Sequence, residues 1–193
     1  MEIYNIITNV KVYGLEDSIK ASKYPMAINT SDCTGEITDR TKSLGGCDTG
    51  TGHDQFLTGI IVQFDLTLSI KAWVEAERYH FLDFVSSQST MHRIANFDVD
   101  SQCNEYVDEI IANRLKGLIE TYNLNKTPEN YLKVLYNIPT GFMLTARMTT
   151  NYRQLKTIYH QRKTHRLPEW RTFCEWVETL PYFKDIILSN ERK

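Results

Sequence analysis

Hydroxyl, amide, imidazole and guanidinium side chains crowd into the nine residues from Val85 to Arg93, which read VSSQSTMHR. Such donors converge well on a phosphate or on the polar edge of a pyrimidine, and an arginine can grip a phosphate through two parallel hydrogen bonds. A solvated loop with hydroxyl caps after a helix explains the same composition. The segment alone therefore leaves a nucleotide site and an ordinary loop equally open.

A second polar group accompanies a predicted helix near the C-terminus. Asn151 stands where that helix begins, with Gln154 three residues later, which is the spacing of a capping box. Backbone N–H groups at a helix start favour an anion. Arg162 lies three turns further along, and His165 and Arg166 follow at the helix exit. Cations at a helix end are also ordinary capping residues, so this group alone favours capping over a ligand site.

Other combinations of reactive residues have simpler interpretations. Glu77 and Arg78 form a buried ion pair as readily as part of a site, because Glu77 falls on the apolar stripe of a predicted helix. His80, Glu77 and Asp83 do not have a supported metal-binding geometry, so we predict no metal site. The glycine-rich segment 43–52 matches neither GxGxxG nor GxxxxGK[ST], which excludes a P-loop.

Composition indicates an ordinary globular protein. Hydrophobic residues make up 41% of the 193 residues and charged residues 24%, and the net charge is -2. That charge gives no reason to expect long nucleic acid or an anionic membrane as a partner. Four scattered cysteines without a CxxC pair, together with the lack of a secretory signal or a long apolar run, predict reduced thiols in a cytoplasmic protein.

Short strands and longer helices must position these residues. Alternating apolar residues predict strands at 6–13, 59–66 and 140–148. Helical spacing and capping residues predict helices at 16–23, 69–85, 104–122, 127–138 and 151–163 and from Pro168 onward. Phe84 and Val85 fall on the apolar stripe of the second of these helices, and Ile110 falls on the core face of the third. Residues 29–58, rich in Ser, Thr, Asp and Gly, are predicted as a long loop. The mixed order predicts one α+β domain over residues 1–193, with a small antiparallel or mixed sheet and a helical layer.

The run from Pro139 to Arg162 resembles the flavin-dependent thymidylate synthase family. That family has a proline before a strand, Thr-x-Asn before a helix and an arginine late in the helix, and Pro139, Thr149, Asn151 and Arg162 match these positions without a gap. The resemblance implies that Asn151 contacts the flavin and that Arg162 holds deoxyuridylate. The family histidine four residues after the arginine is replaced by Arg166, and His165 stands one place early.

The middle motif of the family fits in two registers. An ungapped fit places Ser86 on the first family serine, Gln88 on the Asn/Ser position and Arg93 on a substrate-binding arginine. In that register the family triplet Arg-His-Arg is replaced by residues 81–83. A second register, shifted by three residues, aligns residues 78–80, Arg-Tyr-His, with the triplet, but it requires an insertion.

The resemblance implies an enzyme that methylates deoxyuridylate to thymidylate, with FAD as cofactor, methylenetetrahydrofolate and NADPH as co-substrates, and sites at the interfaces of a homotetramer. Two alternatives remain: a related flavin or folate enzyme acting on another pyrimidine nucleotide, and a nucleotide-binding protein that lost catalysis. His53 and Asp54 are a weak match to a substrate-contacting histidine of the family. The expected substrate-binding residues are Arg78, Ser86, Ser89, Arg93 and Arg162. The expected cofactor-binding residues are Gln88, His92, Asn151 and His165.

Overall fold

Four antiparallel strands form one sheet in the computed structural model, which describes residues 6–189. The strands are β1 (Ile7–Tyr13), β2 (Ile61–Ser69), β3 (Asp83–Ser87) and β4 (Met143–Asn151). Their spatial order is β1-β2-β4-β3, so the last strand in sequence lies between the second and the third. β2 and β4 pair along their whole length, with Ile61 opposite Asn151 and Ser69 opposite Met143. The predicted α+β class with a small antiparallel sheet is confirmed.

Alternation along β2 places its apolar residues on one face of the sheet, as predicted. Four of them are fully buried: Val62, Phe64, Leu66 and Leu68. Phe64 contacts the rings of Phe173 and Trp176, with centroid distances of 6.0 and 4.6 Å. Gln63 and Asp65 point to the other face and stay partly exposed. The core therefore lies on one side of the sheet, under the C-terminal helices.

Helices cover the core face and build a second, smaller core. Within residues 6–189 they are α1 (Leu15–Ala21), α2 (Asp39–Gly45), α3 (Ile70–Ala76), α4 (Thr90–Arg93), α5 (Val99–Gln102), α6 (Glu109–Leu124), α7 (Pro128–Leu135), α8 (Tyr152–Arg162), α9 (Pro168–Val177) and α10 (Phe183–Ile187). The main core joins the sheet to α8, α9 and α10. The second core joins α6 and α7 around Phe142, and Leu144 of β4 packs against both cores.

Capping side chains accept hydrogen bonds from backbone N–H groups at the starts of six α-helices between residues 6 and 189. The Thr127 hydroxyl accepts from the backbone N–H of Asn130 at the start of α7, as the sequence predicts. Asp108 caps α6 through the N–H of Ile110. The predicted start of this helix at residue 104 is therefore wrong by five residues, and Ile110, predicted to face the core, is exposed.

The predicted helix at 69–85 is wrong beyond Ala76. The chain leaves α3 there, turns through Phe81 in the left-handed region (φ 64°) and continues as the edge strand β3. Phe84 and Val85, which helical spacing assigned to a buried stripe, are exposed on that strand. Pairing with the free edge of β4 outweighs the helical periodicity, because β-branched and aromatic residues suit a strand equally well.

Residues 29–58 are more ordered than the predicted long loop. They contain α2, which Thr38 starts through a reciprocal capping box with Thr41. Short 3-10 turns precede and follow that helix, at Thr30–Asp32 and Gln55–Gly59. The composition of this segment predicts a loop, but here two threonines form the hydrogen bonds that start a helix.

Candidate functional site

Asn151 lies at the junction of β4 and α8. Its backbone is extended, and its side-chain Oδ1 accepts from the backbone N–H of Gln154 at 2.9 Å, which confirms the predicted cap. Among residues 6–189, nothing accepts a hydrogen bond from its Nδ2. The Asn151 side chain therefore holds the helix start with one atom and leaves an amide donor for another group.

Arg162, at the last turn of α8, sits in a buried cluster. Its residue is 3% exposed, its Nη1 donates to Glu75 Oε2 at 2.7 Å, and its Nε donates to the Tyr79 hydroxyl at 2.7 Å. The guanidinium lies over the rings of Trp170 and Tyr79, at 4.8 and 5.4 Å from their centroids. Arg162 Nη2 and Trp170 Nε1 are buried donors without an acceptor among the described residues. Two such donors in one cluster suit a ligand oxygen or nitrogen.

His165 completes this cluster. Its Nε2 lies 3.2 Å from Glu75 Oε2 and 2.7 Å from Arg162 Nη1, and its Nδ1 accepts from the N–H of Leu167 at 3.2 Å. Burial, followed by the positive charge of Arg162, holds the pKa of His165 below its ordinary value, and Glu75 opposes this only in part. The Glu75 carboxylate thus balances the charge of Arg162, and His165 is neutral at neutral pH.

A groove of about 720 Å³ opens beside the cluster, between the segment 78–81 and α8. Arg78, Tyr79 and His80 line one wall, and Gln154, Thr157 and Gln161 line the other. The Tyr79 hydroxyl donates to Gln161 Oε1 at 3.0 Å while it accepts from Arg162, so it joins the groove to the buried cluster. Polar side chains on both walls of a groove can hold a planar heterocycle by its edges.

The interpretation of Glu77 and Arg78 as a buried ion pair is wrong. Both residues are exposed, and no ion pair joins them. The partly buried carboxylate of this region is Glu75, two residues earlier on α3, because the helix ends at Ala76 and the stripe does not continue through position 77. Arg78 extends into solvent along the groove, with its guanidinium 5.9 Å from the Tyr79 ring.

The remaining predicted site residues lie around the far end of β3. Ser86 pairs with Arg147 on β4. Gln88 extends the strand pairing, since its backbone N–H donates to Thr145 O and its Oε1 accepts from the N–H of Thr145, both at 2.9 Å. This makes Gln88 a structural residue at the sheet edge.

Ser89 precedes α4, and His92 and Arg93 form its last turn. Both His92 and Arg93 are exposed, and the Tyr131 hydroxyl ties this turn to α7 through Met91 O at 2.5 Å. Across residues 6–189, no hydrogen bond or ion pair connects this turn with the Arg162 cluster. Within one chain, the predicted ligand residues therefore fall into two separate groups.

A third cluster was not predicted. The fully buried Asp54 accepts from Lys156 Nζ at 2.9 Å and from Arg153 Nε at 3.0 Å. Lys156 Nζ also donates to the carbonyl oxygens of Gly45 and Cys47, at 2.9 and 2.5 Å. All three of its N–H groups are used, so Lys156 fastens the glycine-rich segment 43–52 to α8. His53 is exposed beside Asp54 and takes no part.

Two further observations bear on the kind of site. In the part of the chain that the structure describes, no three His, Cys, Asp or Glu side chains converge in a way that would hold a metal ion. Every helix between residues 6 and 189 is too short or too polar to cross a bilayer.

The chain has the fold of the flavin-dependent thymidylate synthases. Two solved structures of the flavin-dependent thymidylate synthase ThyX from Helicobacter pylori, each holding FAD and dUMP, superpose with TM-scores of 0.71 and 0.73. Sequence identity is only 14% and 15%, while the match covers 94% and 96% of this chain and 99% and 97% of theirs. No family model and no curated protein matches the sequence.

Proposed function

We propose that the protein is a flavin-dependent enzyme that methylates deoxyuridylate to thymidylate with methylenetetrahydrofolate. The observation that carries this proposal is the groove between residues 78–81 and α8, which adjoins the buried Arg162 cluster. It occurs in a fold whose Helicobacter pylori neighbours hold FAD and dUMP. The capping residue Asn151 stands at one end of the same helix and Arg162 at the other.

The residues of the groove fit a flavin. Arg78, Tyr79 and His80 occupy its wall, which supports the register in which these three residues take the place of the family triplet. Asn151 Nδ2 is a further donor without an acceptor among residues 6–189. When bound, the flavin supplies the hydride, and NADPH reduces it. The chain's own part is to hold the ring edges, orient the pyrimidine and exclude water.

Arg162 suits a pyrimidine edge better than a phosphate. Its charge is already balanced by Glu75 at 2.7 Å, and its remaining free donor is the buried Nη2. Arg93 is exposed and forms no ion pair with a described residue, so it offers a full charge for the phosphate. Ser89 and His92 beside it add a hydroxyl and an imidazole to the same phosphate subsite.

A homotetramer would bring the two groups together. Arg93 and Arg162 belong to separate regions of one chain, so a nucleotide that contacts both needs Arg93 from one subunit and Arg162 from another. We therefore propose that the sites lie at subunit interfaces. We also propose a cytoplasmic enzyme, because the scattered cysteines favour a reducing compartment. The polar face of the sheet, opposite the main core, supports the same arrangement.

The compensated charge of Arg162 also favours a second candidate. A nucleotide-binding protein with this fold, or an enzyme acting on another pyrimidine nucleotide, needs no strong cation at that position. Flavin binding by the purified protein and growth rescue by the expressed protein together distinguish a catalyst from a binding protein. Flavin absorbance, or quenching of added FAD fluorescence, together with rescue of a thymidine-requiring strain, is the expected result.

Binding of dUMP without flavin and without rescue would favour the non-catalytic alternative. Flavin binding without rescue from a well-expressed protein would favour another pyrimidine substrate. A protein that binds neither FAD nor dUMP would contradict all of these proposals.

A further inference from the structure

A second cavity, of about 350 Å³, lies apart from the groove. Four parts of the chain wall it: the junction of β2 and α3, the segments 104–111 and 139–141, and the start of α9. It shares no lining residue with the groove at 78–81, and it contains none of the residues assigned above to flavin or nucleotide. It therefore needs an explanation of its own.

Glu169 is the unusual residue of this cavity. It lines the cavity and is 3% exposed, yet within residues 6–189 nothing forms a hydrogen bond or an ion pair with its carboxylate. A buried carboxylate without a partner is costly. Its place after Pro168 in the first turn of α9 lets the helix dipole offset part of that cost, but the dipole supplies no hydrogen bond to the two oxygens.

Four of the other polar residues of the cavity are already engaged. The Ser69 hydroxyl accepts from the N–H of Ala72, and Lys71 Nζ lies 3.7 Å from Glu75 Oε1. The Asp108 side chain caps α6, and the Asn104 Oδ1 accepts from the N–H of Tyr106. Each has its own contact, so the Glu169 carboxylate stays available to a group that enters from outside.

Apart from Tyr106 and Thr140, the remaining walls are apolar. Val107 and Ile111 come from one side, and Pro139 and Leu167 from the others. One unpartnered carboxylate beside apolar walls does not suit a metal ion, which needs several oxygen ligands. It suits a planar head with two parallel N–H donors, because a carboxylate accepts such a pair through both of its oxygens.

We propose that this cavity is a binding site for a small organic cation with an amidinium or guanidinium head and a compact apolar body. Glu169 accepts the two N–H groups of the head, and the apolar walls bury the body. The site is independent of flavin and of the proposed methylation, so its test needs neither activity nor cofactor.

Benzamidine is the probe, and its neutral isostere benzamide is the matched ligand control. Isothermal titration or ligand-observed NMR should show saturable benzamidine binding to the wild-type protein and at least about tenfold weaker benzamide binding, because only the charged head forms the charge-assisted pair. The variant Glu169→Gln should lose at least about tenfold in benzamidine affinity on the same grounds. Glu105→Gln, an exposed carboxylate outside the cavity, should bind as the wild type does.

A cavity-filling variant keeps the test decisive if Glu169→Gln does not fold. Ile111→Trp adds bulk at the half-exposed rim and leaves Glu169 in place, so it should also weaken benzamidine by at least about tenfold if the body enters the cavity. The proposal is overturned if wild-type protein shows no saturable binding, if benzamide binds equally well, or if folded Glu169→Gln or Ile111→Trp binds benzamidine as the wild type does.

Discussion

Arg162 has both a structural and a proposed ligand-binding role. Its guanidinium is enclosed by two aromatic rings and bonded to Glu75 and Tyr79, so its removal takes one donor from the carboxylate and one from the phenol. The side chain that sequence comparison assigns to the nucleotide therefore also holds α8 to α3. Loss of binding in a variant at this position needs a measurement of stability beside it.

The variant Arg162→Ala should lower the free energy of unfolding by about 3 kcal/mol, because it breaks the largely buried ion pair with Glu75. Urea denaturation followed by circular dichroism measures this loss. Arg166→Ala, four residues later and exposed, is the control and should change stability by no more than about 0.5 kcal/mol. Equal stabilities for the two variants would show that the cluster contributes nothing to the fold.

His165 makes stability depend on pH in one direction. Its pKa in the folded protein is below the ordinary value of 6.5, first through burial and then through Arg162, so the unfolded chain binds this proton more readily. The contribution is fully present above pH 6.5 and declines as the pH falls toward the folded pKa. His165→Gln should therefore flatten the loss of stability measured between about pH 7.5 and 5.

The exposed His53 provides the matched variant, His53→Gln, which should keep the wild-type pH dependence. An unchanged slope in His165→Gln would show that other groups cause the acid sensitivity.

At the scale of elements, the turn between α3 and β3 shapes the groove. Phe81 holds a left-handed conformation with its side chain 65% exposed, which costs energy and buries little. Phe81→Gly should raise the free energy of unfolding by about 0.5–1 kcal/mol, because glycine adopts this conformation without strain. If residues 69–85 formed a continuous helix, Phe81→Gly would instead lower the free energy of unfolding by about 1 kcal/mol.

Thermal and urea unfolding of Phe81→Gly thus decide between the two arrangements. Val85→Gly, in the edge strand, is the comparison and should destabilise by roughly 0.5–1 kcal/mol.

The clamp formed by Lys156 joins α8 to the glycine-rich segment 43–52. Lys156→Met removes three hydrogen bonds and leaves Asp54 facing Arg153 alone, so we expect a loss of about 3 kcal/mol and faster amide exchange in that segment. Hydrogen exchange followed by mass spectrometry measures both. The double variant Asp54→Asn/Lys156→Met should recover part of the stability, since it removes the stranded charge. A double variant that loses the sum of both single losses would contradict the pairing.

Sequence patterns predicted the elements whose signals are local. The Asn151 and Thr127 caps and the alternation of β2 depend on neighbours within a few residues, and all three are confirmed. The boundary of α3 was wrong because its end depends on β4, almost seventy residues away. The partners of Arg162 were missed for the same reason: Glu75 and Tyr79 lie more than eighty positions earlier in the chain.

For the whole molecule, the second face of the sheet is polar. Lys11, Gln63, Thr149 and Asp83 form one row across all four strands, and all are at least partly exposed. In the next row, Arg147 pairs with Asp65 at 3.1 Å. A broad polar face beside two separated groups of ligand residues suits contact between copies of the chain.

Light scattering after size exclusion should therefore give about four times the chain mass of 22.5 kDa. If sites are shared between subunits, Arg93→Ala and Arg162→Ala proteins should each lack activity, and refolding them together should restore part of it. The double variant Arg93→Ala/Arg162→Ala, refolded alone, should restore none. A monomeric mass would contradict the shared site while leaving the fold unaffected.

The strand order has a consequence for synthesis on the ribosome. β2 and β3 have no partner on their inner edges until β4 has been made, because β4 lies between them. The main core also requires α8, α9 and α10, which follow β4. Roughly the first three quarters of the nascent chain therefore leave the exit tunnel before the sheet can be completed. At that stage unpaired strand edges are prone to aggregation. We expect the chain to depend on chaperones most at that stage, and compact structure to appear only once the last helices have emerged.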